Sequence, residues 1–207
     1  MRLTEKAFTE LLDTLAAATP TPGGGSASAL AASVGLALLE MVSAMTRTRT
    51  GNDESRRALD QVQASIAHLR DRAVSLVDDD AAAYDAVVTA YRLPKTSEAD
   101  RAARSVAVQS ALRGAAEVPL EVMRVCQAAL AAGVEVARHG NPSAASDVGV
   151  AVELLVAALR GARLNVAVNL SALDDPGLVS GVQDEIARLE QAAALLAGDV
   201  RTALSSA

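Results

Sequence analysis

The sequence predicts an all-α protein, a bundle of about six mostly long helices in one domain that spans residues 1–207. Apolar residues recur at spacings of three and four between turn-forming segments, and no stretch alternates as a half-buried strand does. Only three residues are aromatic (Phe8, Tyr84 and Tyr91), although 51% of the chain is hydrophobic. The core must therefore consist mainly of Ala, Val and Leu, which favours helices packed at short distances.

Turn-forming segments divide the chain into six helical stretches, and they lie at residues 20–25, 50–53, 92–98, 139–143 and 173–177. The first stretch, "FTELLDTLAAAT", has a helical pattern, and the second, Ala27 to Met45, is the most apolar part of the chain. The third carries the clearest core stripe, made of Leu59, Val62, Ile66, Leu69, Ala73 and Leu76. Spacings of three and four place these side chains on one helix face.

Residues that cap helices mark the later elements. Thr96 or Ser97 can cap the fourth helix, and Asn141 followed by Pro142 is typical of an N-cap with proline at the first helical position. Pro119 lies within the fourth stretch and lacks a backbone donor. We therefore expect it to kink or break that helix.

Charge and cysteine content exclude several classes of protein. The net charge is −6 and the Arg residues are dispersed, so we expect no nucleic acid partner. Cys126 is the single cysteine and lies in an apolar helical stretch, which fits a packing role and a cytoplasmic location. The N-terminus does not resemble a signal peptide. We expect no membrane span either, because the apolar second stretch contains Glu40 and several serines.

The glycine run in "TPTPGGGSASAL" raises the question of a ligand site. It follows a helical stretch and lacks the Lys of a P-loop, so it fits neither a dinucleotide fingerprint nor a Walker motif. Two interpretations remain. The run is either a simple turn, or a backbone without side chains that a ligand can approach at a helix N-terminus.

Asp80 is the acidic residue with the most informative position. Steps of seven from Leu59 through Ile66 and Ala73 reach Asp80, so it occupies a core-facing register, with Tyr84 one turn further on. Such a carboxylate is costly to desolvate unless it is paired. It is either a capping or ion-paired residue at a helix seam, or a functional group. Asp78 and Asp79 point elsewhere, and at least one of them is expected to face solvent.

A second group of polar residues lies in "NPSAASDVGVA" and "GARLNVAVNL". Asp147 either compensates the dipole at a helix start or binds a ligand. Asn165 and Asn169 share a face, but 18 residues of continuous helix put Asn165 about 27 Å from Asp147. A polar line at steps of seven, Ser26, Ser33, Glu40 and Arg47, is expected to face solvent. His68 and His139 have no companions at metal-ligand spacing, so no metal site is expected.

Five stretches appear in the order found in a known family. They are "TPTPGGGSASALAASVGLALLEMVSAMT", "DDDAAAYDAVVTAYRLPK", "AAEVPLEVM", "GNPSAASDVGVA" and "GARLNVAVNL". The chain thereby resembles the formimidoyltetrahydrofolate cyclodeaminase and methenyltetrahydrofolate cyclohydrolase family over roughly residues 5–195. The resemblance implies an all-helical homodimer, a tetrahydrofolate substrate that can be polyglutamylated, and neither a metal nor a prosthetic group. A separate formiminotransferase chain is a possible partner.

The resemblance also implies site residues. The loop of Gly23, Gly24, Gly25 and Ser26 would line the folate site with Asp80 and Tyr84, Lys95 would close the "YRLPK" motif, and a second motif would contribute Asn141, Ser146 and Asp147. Family members have a lysine-rich turn where this chain has "RTRTGND", so Arg47 or Arg49 would replace its cation.

Both reactions of this family pass through a tetrahedral carbon bonded to N5 and N10 and need a proton donor and acceptor. Asp80 is the predicted acid/base and Asp147 the orienting or electrostatic partner. Lys95 is expected to pair with the glutamate tail, and Tyr84 to stack on a ring or donate a hydrogen bond. The alternative is a non-catalytic helical dimer that binds folate or a protein.

Overall fold

The computed structural model describes residues 2–205, and within that range it contains six α-helices and no strand. The prediction of an all-α bundle is therefore confirmed. Two short 3₁₀ turns, Leu3–Glu5 and Pro142–Ala144, accompany the helices. The helices are α1 (Phe8–Ala16), α2 (Gly24–Ala44), α3 (Asp53–Tyr91), α4 (Glu98–His139), α5 (Ala145–Leu170) and α6 (Pro176–Ser205).

Helix α2 lies at the centre of one layer, between α3 and α5, and α4 and α6 form the layer behind. Helix α2 runs antiparallel to α3 and to α5, because α2 begins beside the later part of α3 and the end of α5. Small residues permit close packing: a Cβ added at Gly35 would lie 3.0 Å from the Ala151 carbonyl oxygen. Of the 21 residues of α2, 11 are buried, as a central helix requires.

The predicted core stripe of α3 is confirmed, since Leu59, Ile66, Ala73 and Leu76 are buried. The side chain of Asn52 caps α3 by accepting a hydrogen bond from the Ser55 amide at 3.0 Å. These features fix the rotation of α3 about its own axis and thereby determine which residues face α2.

The predicted caps are also present. Ser97 caps α4 in a reciprocal capping box with Asp100. Asn141 caps the 3₁₀ turn before α5 by accepting a hydrogen bond from the Ser143 amide at 3.0 Å. The side chain of Asn141 also lies against Met45, with 3.6 Å between Nδ2 and Sδ. This contact ties the start of α5 to the end of α2.

Two expectations about helix faces and ends are wrong. Helix α4 is not broken at Pro119: it continues from Glu98 to His139, and Pro119 and Leu120 are buried against the neighbouring helices. The polar line on α2 does not face solvent, since Ser26 and Ser33 are buried. Glu40 forms an ion pair with Arg70 of α3, with 2.5 Å between the charged groups. Only Arg47, beyond the end of α2, is exposed.

Helices α2 and α5 are strongly apolar although each is only partly buried. By length and composition alone, Gly24–Ala44 and Pro142–Leu170 could each cross a membrane, although 50% and 39% of their most apolar windows are buried inside the bundle. Their remaining apolar residues lie on the outside of the bundle.

Candidate active site

A cleft of about 270 Å³ opens where the start of α2, the later part of α3 and the end of α5 meet. The glycine run forms one wall, α3 a second, and the amides of α5 a third. The lining residues are Pro20, Thr21, Gly23, Gly24, Gly25, Asp80, Ala83, Tyr84, Val87, Ala115, Asn165, Val168 and Asn169.

The half-buried carboxylate of Asp80 is held by the first turn of α2. Its Oδ2 accepts hydrogen bonds from the Ser26 amide at 2.8 Å and from the Ser26 hydroxyl at 2.9 Å. The backbone donor is one of those that a helix N-terminus leaves without an intrahelical partner. Asp80 therefore acts as a cap for α2 supplied by a different helix.

Gly25 is required by the position of this carboxylate. A Cβ atom built on Gly25 would lie 2.0 Å from Asp80 Oδ1 and 2.5 Å from its Cγ. Real side chains do not approach so closely, so the carboxylate occupies the space that any other residue would fill. This contact packs the glycine run against α3.

The environment changes the proton affinity of Asp80. Burial raises the pKa of its carboxyl group, and the hydrogen bonds from Ser26 counteract part of that rise. Among residues 2–205, its hydrogen bonds come from Ser26 alone, with no cation to compensate its charge. A carboxylate with a raised pKa in a cleft has the property that general acid–base chemistry requires.

Asn165 and Asn169 form the opposite wall, a role that the sequence analysis did not assign to them. Asn169 donates to the carbonyls of Ala115 at 2.8 Å and of Asn165 at 3.1 Å, and Asn165 donates to the Gly161 carbonyl at 3.0 Å. Their amide oxygens have no hydrogen-bond partner among the described residues. The sequence feature that could have indicated this role is the pair of amide side chains one turn apart on an otherwise apolar helix.

Thr21 is a second lining residue that the sequence analysis missed. Its hydroxyl is buried and makes no hydrogen bond in the part of the chain that the structure describes. Buried polar atoms normally have a partner. Together with Asn165 and Asn169, Thr21 gives the cleft several hydrogen-bonding groups that the protein itself does not satisfy.

The other predicted site residues do not line this cleft within one chain. Asp147 lies in the first turn of α5 and Asn165 near its end, so the two are about 27 Å apart along the helix axis. Asn141 and Ser146 lie at the same distant end as Asp147, and Lys95 is exposed in the loop between α3 and α4. One chain therefore brings Asp80 together with the glycine run and Tyr84 only.

The acidic neighbours of Asp80 have structural roles. Asp78 accepts hydrogen bonds from the Leu3 amide at 2.6 Å and the Thr4 hydroxyl at 2.7 Å, so it holds the N-terminal turn against α3. Asp79 forms an ion pair with Arg72 at 2.9 Å. Among residues 2–205, no group of three or more His, Cys, Asp or Glu side chains could hold a metal ion.

The fold and the cleft define an all-α protein with a candidate acid–base site built on one carboxylate and several unsatisfied amide and hydroxyl groups. Comparison with known proteins specifies it further. The sequence model of the formiminotransferase-cyclodeaminase family matches residues 7–188. The chain belongs to this family, as the resemblance of its motifs predicted.

Individual relatives agree with this assignment. The chain is 40% identical to a methenyltetrahydrofolate cyclohydrolase from Methylorubrum extorquens over 164 residues, which are 79% of each chain. It is 36% identical to a formimidoyltransferase-cyclodeaminase from Sus scrofa over 67% of its own length and 25% of that relative. The structure of formiminotetrahydrofolate cyclodeaminase from Thermotoga maritima superimposes with a TM-score of 0.86 and 27% identity, covering 98% of this chain and 97% of the other.

Proposed function

We propose that this protein is a folate one-carbon enzyme that acts at the N5/N10 one-carbon unit of tetrahydrofolate. It either cyclises 5-formimidoyltetrahydrofolate to 5,10-methenyltetrahydrofolate with release of ammonia, or hydrolyses 5,10-methenyltetrahydrofolate to 10-formyltetrahydrofolate. The observation that carries the proposal is the carboxylate of Asp80, held by Ser26 in a cleft and made more basic by burial. The family and the named activities of the relatives support both reactions.

Asp80 supplies the proton transfers that either reaction needs. In cyclisation, N10 attacks the formimidoyl carbon on N5, the N10 proton passes to the carboxylate, and the amino group of the tetrahedral carbon leaves as ammonia after it gains a proton. In hydrolysis, water attacks the methenyl carbon and loses a proton to the carboxylate. That proton goes to N5 as the N5–carbon bond breaks, and the remaining hydroxyl proton passes to solvent as the formyl C=O bond forms. One carboxyl group with a raised pKa can accept and then return the proton.

The remaining cleft residues bind and orient the folate ring system. The backbone of Gly23 and Gly24 permits close approach of a flat ring, and the groups of Thr21, Asn165 and Asn169 pair with its polar edge. The cleft, of about 270 Å³, is at the small end of the range for ligand pockets, and we assign it to the bicyclic ring. Tyr84 lies at the cleft and stacks on the part of the ligand that leaves it.

The glutamate tail of the substrate then lies outside the cleft. Lys95 is the proposed charge partner of this tail, because its loop follows the same helix that carries Asp80 and Tyr84. A polyglutamate tail would strengthen this contact. We further propose that the protein forms a homodimer in the cytoplasm, where its single cysteine remains a free, buried thiol. A separate formiminotransferase chain would supply the 5-formimidoyl substrate.

The experiment follows both reactions in the purified protein. Absorbance decay of 5,10-methenyltetrahydrofolate measures hydrolysis, and formation of the same compound with release of ammonia measures cyclisation. Asp80→Asn should lower turnover at least about 10²-fold, as is typical of removing a general acid–base group. Asp79→Asn is the matched control, since this neighbouring carboxylate pairs with Arg72, and it should retain turnover.

Two results would count against the proposal. Absence of turnover in both assays, with the helical circular dichroism intact, would refute the enzymatic function. Undiminished turnover of Asp80→Asn would refute the role of the carboxylate. The non-catalytic alternative predicts folate binding without turnover in both the natural protein and the variant.

A further inference from the structure

Within residues 2–205, Asp80 is the only charged side chain in the lining of the cleft. The other lining residues are apolar or neutral, and no Lys, Arg or His is among them. Both hydrogen bonds from Ser26 reach Oδ2. Oδ1 lies where a side chain on Gly25 would be, and it accepts no hydrogen bond from the described residues. A partly buried carboxylate without a counter-ion attracts a cation more strongly than it would in water.

The end of α5 adds negative potential to the same cleft. Helix α5 ends at Leu170, and its last turn contains no basic residue. The carbonyl end of a helix carries a partial negative charge, and Val168 and Asn169 from this turn line the cleft. The amide oxygens of Asn165 and Asn169 are two further acceptors. The positive end of α2 offsets part of this potential, but its donors are directed at Oδ2 through Ser26.

The two candidate substrates share one electronic feature that matches this potential. In 5,10-methenyltetrahydrofolate, the N5–CH–N10 bridge carries a delocalised positive charge. In 5-formimidoyltetrahydrofolate, the formimidoyl group is protonated at neutral pH and forms a similar N–C–N cation. Both are amidinium ions. The formyl derivatives of tetrahydrofolate have an oxygen in place of one nitrogen, so their one-carbon unit is neutral.

We propose that the cleft is a receptor for an amidinium cation, with the Asp80 carboxylate as its counter-ion, and that it selects cationic over neutral one-carbon units. This inference rests on the proposed function, which supplies the two ligands, and it adds the property by which the cleft distinguishes them from formyl derivatives. The remainder of the cleft holds the ring system by neutral contacts, so the charge preference depends on one residue.

The counter-ion role leads directly to the proton transfer. While the cation is bound, its charge keeps the carboxylate of Asp80 ionised. When water or N10 attacks the central carbon, the positive charge moves from the N–C–N unit to the attacking atom, whose proton becomes acidic. That proton passes to Asp80, and the adduct and the carboxyl group are then both neutral. The same proton returns to the leaving nitrogen as its bond to carbon breaks.

The two reactions differ in the charge of the product. Hydrolysis converts the methenyl cation and water into a formyl derivative and a proton, so the product loses its attraction to Asp80 and dissociates. Cyclisation converts one amidinium ion into another and releases ammonia, so the product keeps the attraction. We therefore expect 5,10-methenyltetrahydrofolate to inhibit cyclisation competitively, and 10-formyltetrahydrofolate to inhibit hydrolysis only weakly.

The first test measures the charge preference without a folate. Benzamidinium and benzamide have nearly the same shape, only the first is a cation, and both are small enough for a cleft of about 270 Å³. By calorimetry, the natural protein should bind benzamidinium at least about 10-fold more tightly. Asp80→Asn should abolish this preference. Asp79→Asn should retain it, because Asp79 pairs with Arg72.

Three results of the first test would overturn the inference. They are no binding of benzamidinium at millimolar concentration, equal binding of the two probes, and a preference that survives in Asp80→Asn. Circular dichroism verifies that each variant is folded.

The second test leaves the Asp80 carboxylate in place and compensates its charge. Ala83 lines the cleft, is partly exposed and follows Asp80 by three residues on α3. An ammonium group at this spacing can pair with Asp80. Ala83→Lys should therefore weaken benzamidinium binding about 3-fold and leave benzamide binding unchanged. Ala83→Gln is the matched neutral control, and equal effects of the two substitutions would contradict the inference.

The third test separates this inference from the proposed function. 5-Formyltetrahydrofolate has an oxygen in place of the NH2 group of the formimidoyl substrate, and its affinity should be the same for the natural protein and for Asp80→Asn. An equal loss of affinity for this neutral ligand would show that Asp80 binds another part of the folate. Benzamidinium selectivity without folate turnover would refute only the proposed function. Turnover without charge selectivity would refute only the amidinium receptor.

Discussion

Replacement of Gly25 by alanine tests the contact on which the candidate site depends. The added Cβ would lie 2.0 Å from Asp80 Oδ1, whereas ordinary contacts begin at 3.4 Å, so the two atoms would overlap by 3.4 − 2.0 = 1.4 Å. The atom that must move belongs to a short side chain that two hydrogen bonds hold in place. Asp80 therefore has to turn away from Ser26, or the start of α2 has to shift.

The size of the effect follows from these contacts. Loss of two hydrogen bonds to a charged group costs about 3 kcal/mol at the lower end of the usual range. Alanine in place of glycine within a helix stabilises the helix by up to about 1 kcal/mol, which offsets part of this loss. We therefore expect Gly25→Ala to lower the free energy of unfolding by about 2 kcal/mol, a factor of about 30 in the folding equilibrium. Turnover should fall at least as far as in Asp80→Asn, because the carboxylate is displaced.

Urea denaturation followed by circular dichroism measures the change in stability, since the chain has no tryptophan to report by fluorescence. A double-mutant cycle isolates the contact. In an Asp80→Ala background, Gly25→Ala should no longer destabilise the protein, which gives a coupling energy of about 3 kcal/mol. Gly114→Ala is the control, because no heavy atom lies within 4 Å of its added Cβ. Additive effects in the cycle would refute the reasoning.

Three further predictions concern ionisation and helix ends. Because burial raises the pKa of Asp80, its contribution to stability is present below the ordinary pKa and is lost as pH rises through the raised value. Urea midpoints should therefore favour Asp80→Asn increasingly as pH rises from the ordinary carboxyl pKa through the raised one, and the difference should level off above it; the opposite trend would contradict this. Asn52→Ala removes the cap of α3 and should lower the free energy of unfolding by about 1 kcal/mol, whereas an unchanged urea midpoint would argue against the cap. Burial raises the pKa of Cys126 to about 12, so a thiol reagent should modify it only at the rate of unfolding, and rapid labelling of the native protein would show that the thiol is accessible.

Local patterns in the sequence predicted most of the fold. The stripe from Leu59 to Leu76 and the caps at Ser97 and Asn141 depend on residues close together in the chain. The same periodicity placed Asp80 on the face of α3 that meets α2, because a helix carries its register over many turns. The continuous helix through Pro119 was not predictable in this way. Pro119 is buried within α4, and the helices that pack against α4 come from distant parts of the chain.

The sequence alone determined the helices, the core face of α3 and the membership of the family, since each depends on spacing or on motifs in a fixed order. Tertiary structure decided which residues meet. It joined Gly25 and Ser26 to Asp80 across 54 residues, added Thr21, Asn165 and Asn169 to the cleft, and placed Asp147 at the opposite end of α5. The physical reason is that helical periodicity gives the direction of a side chain about its own helix. The position of that helix along its neighbours depends on close contacts between small residues, such as the approach of Gly35 to Ala151.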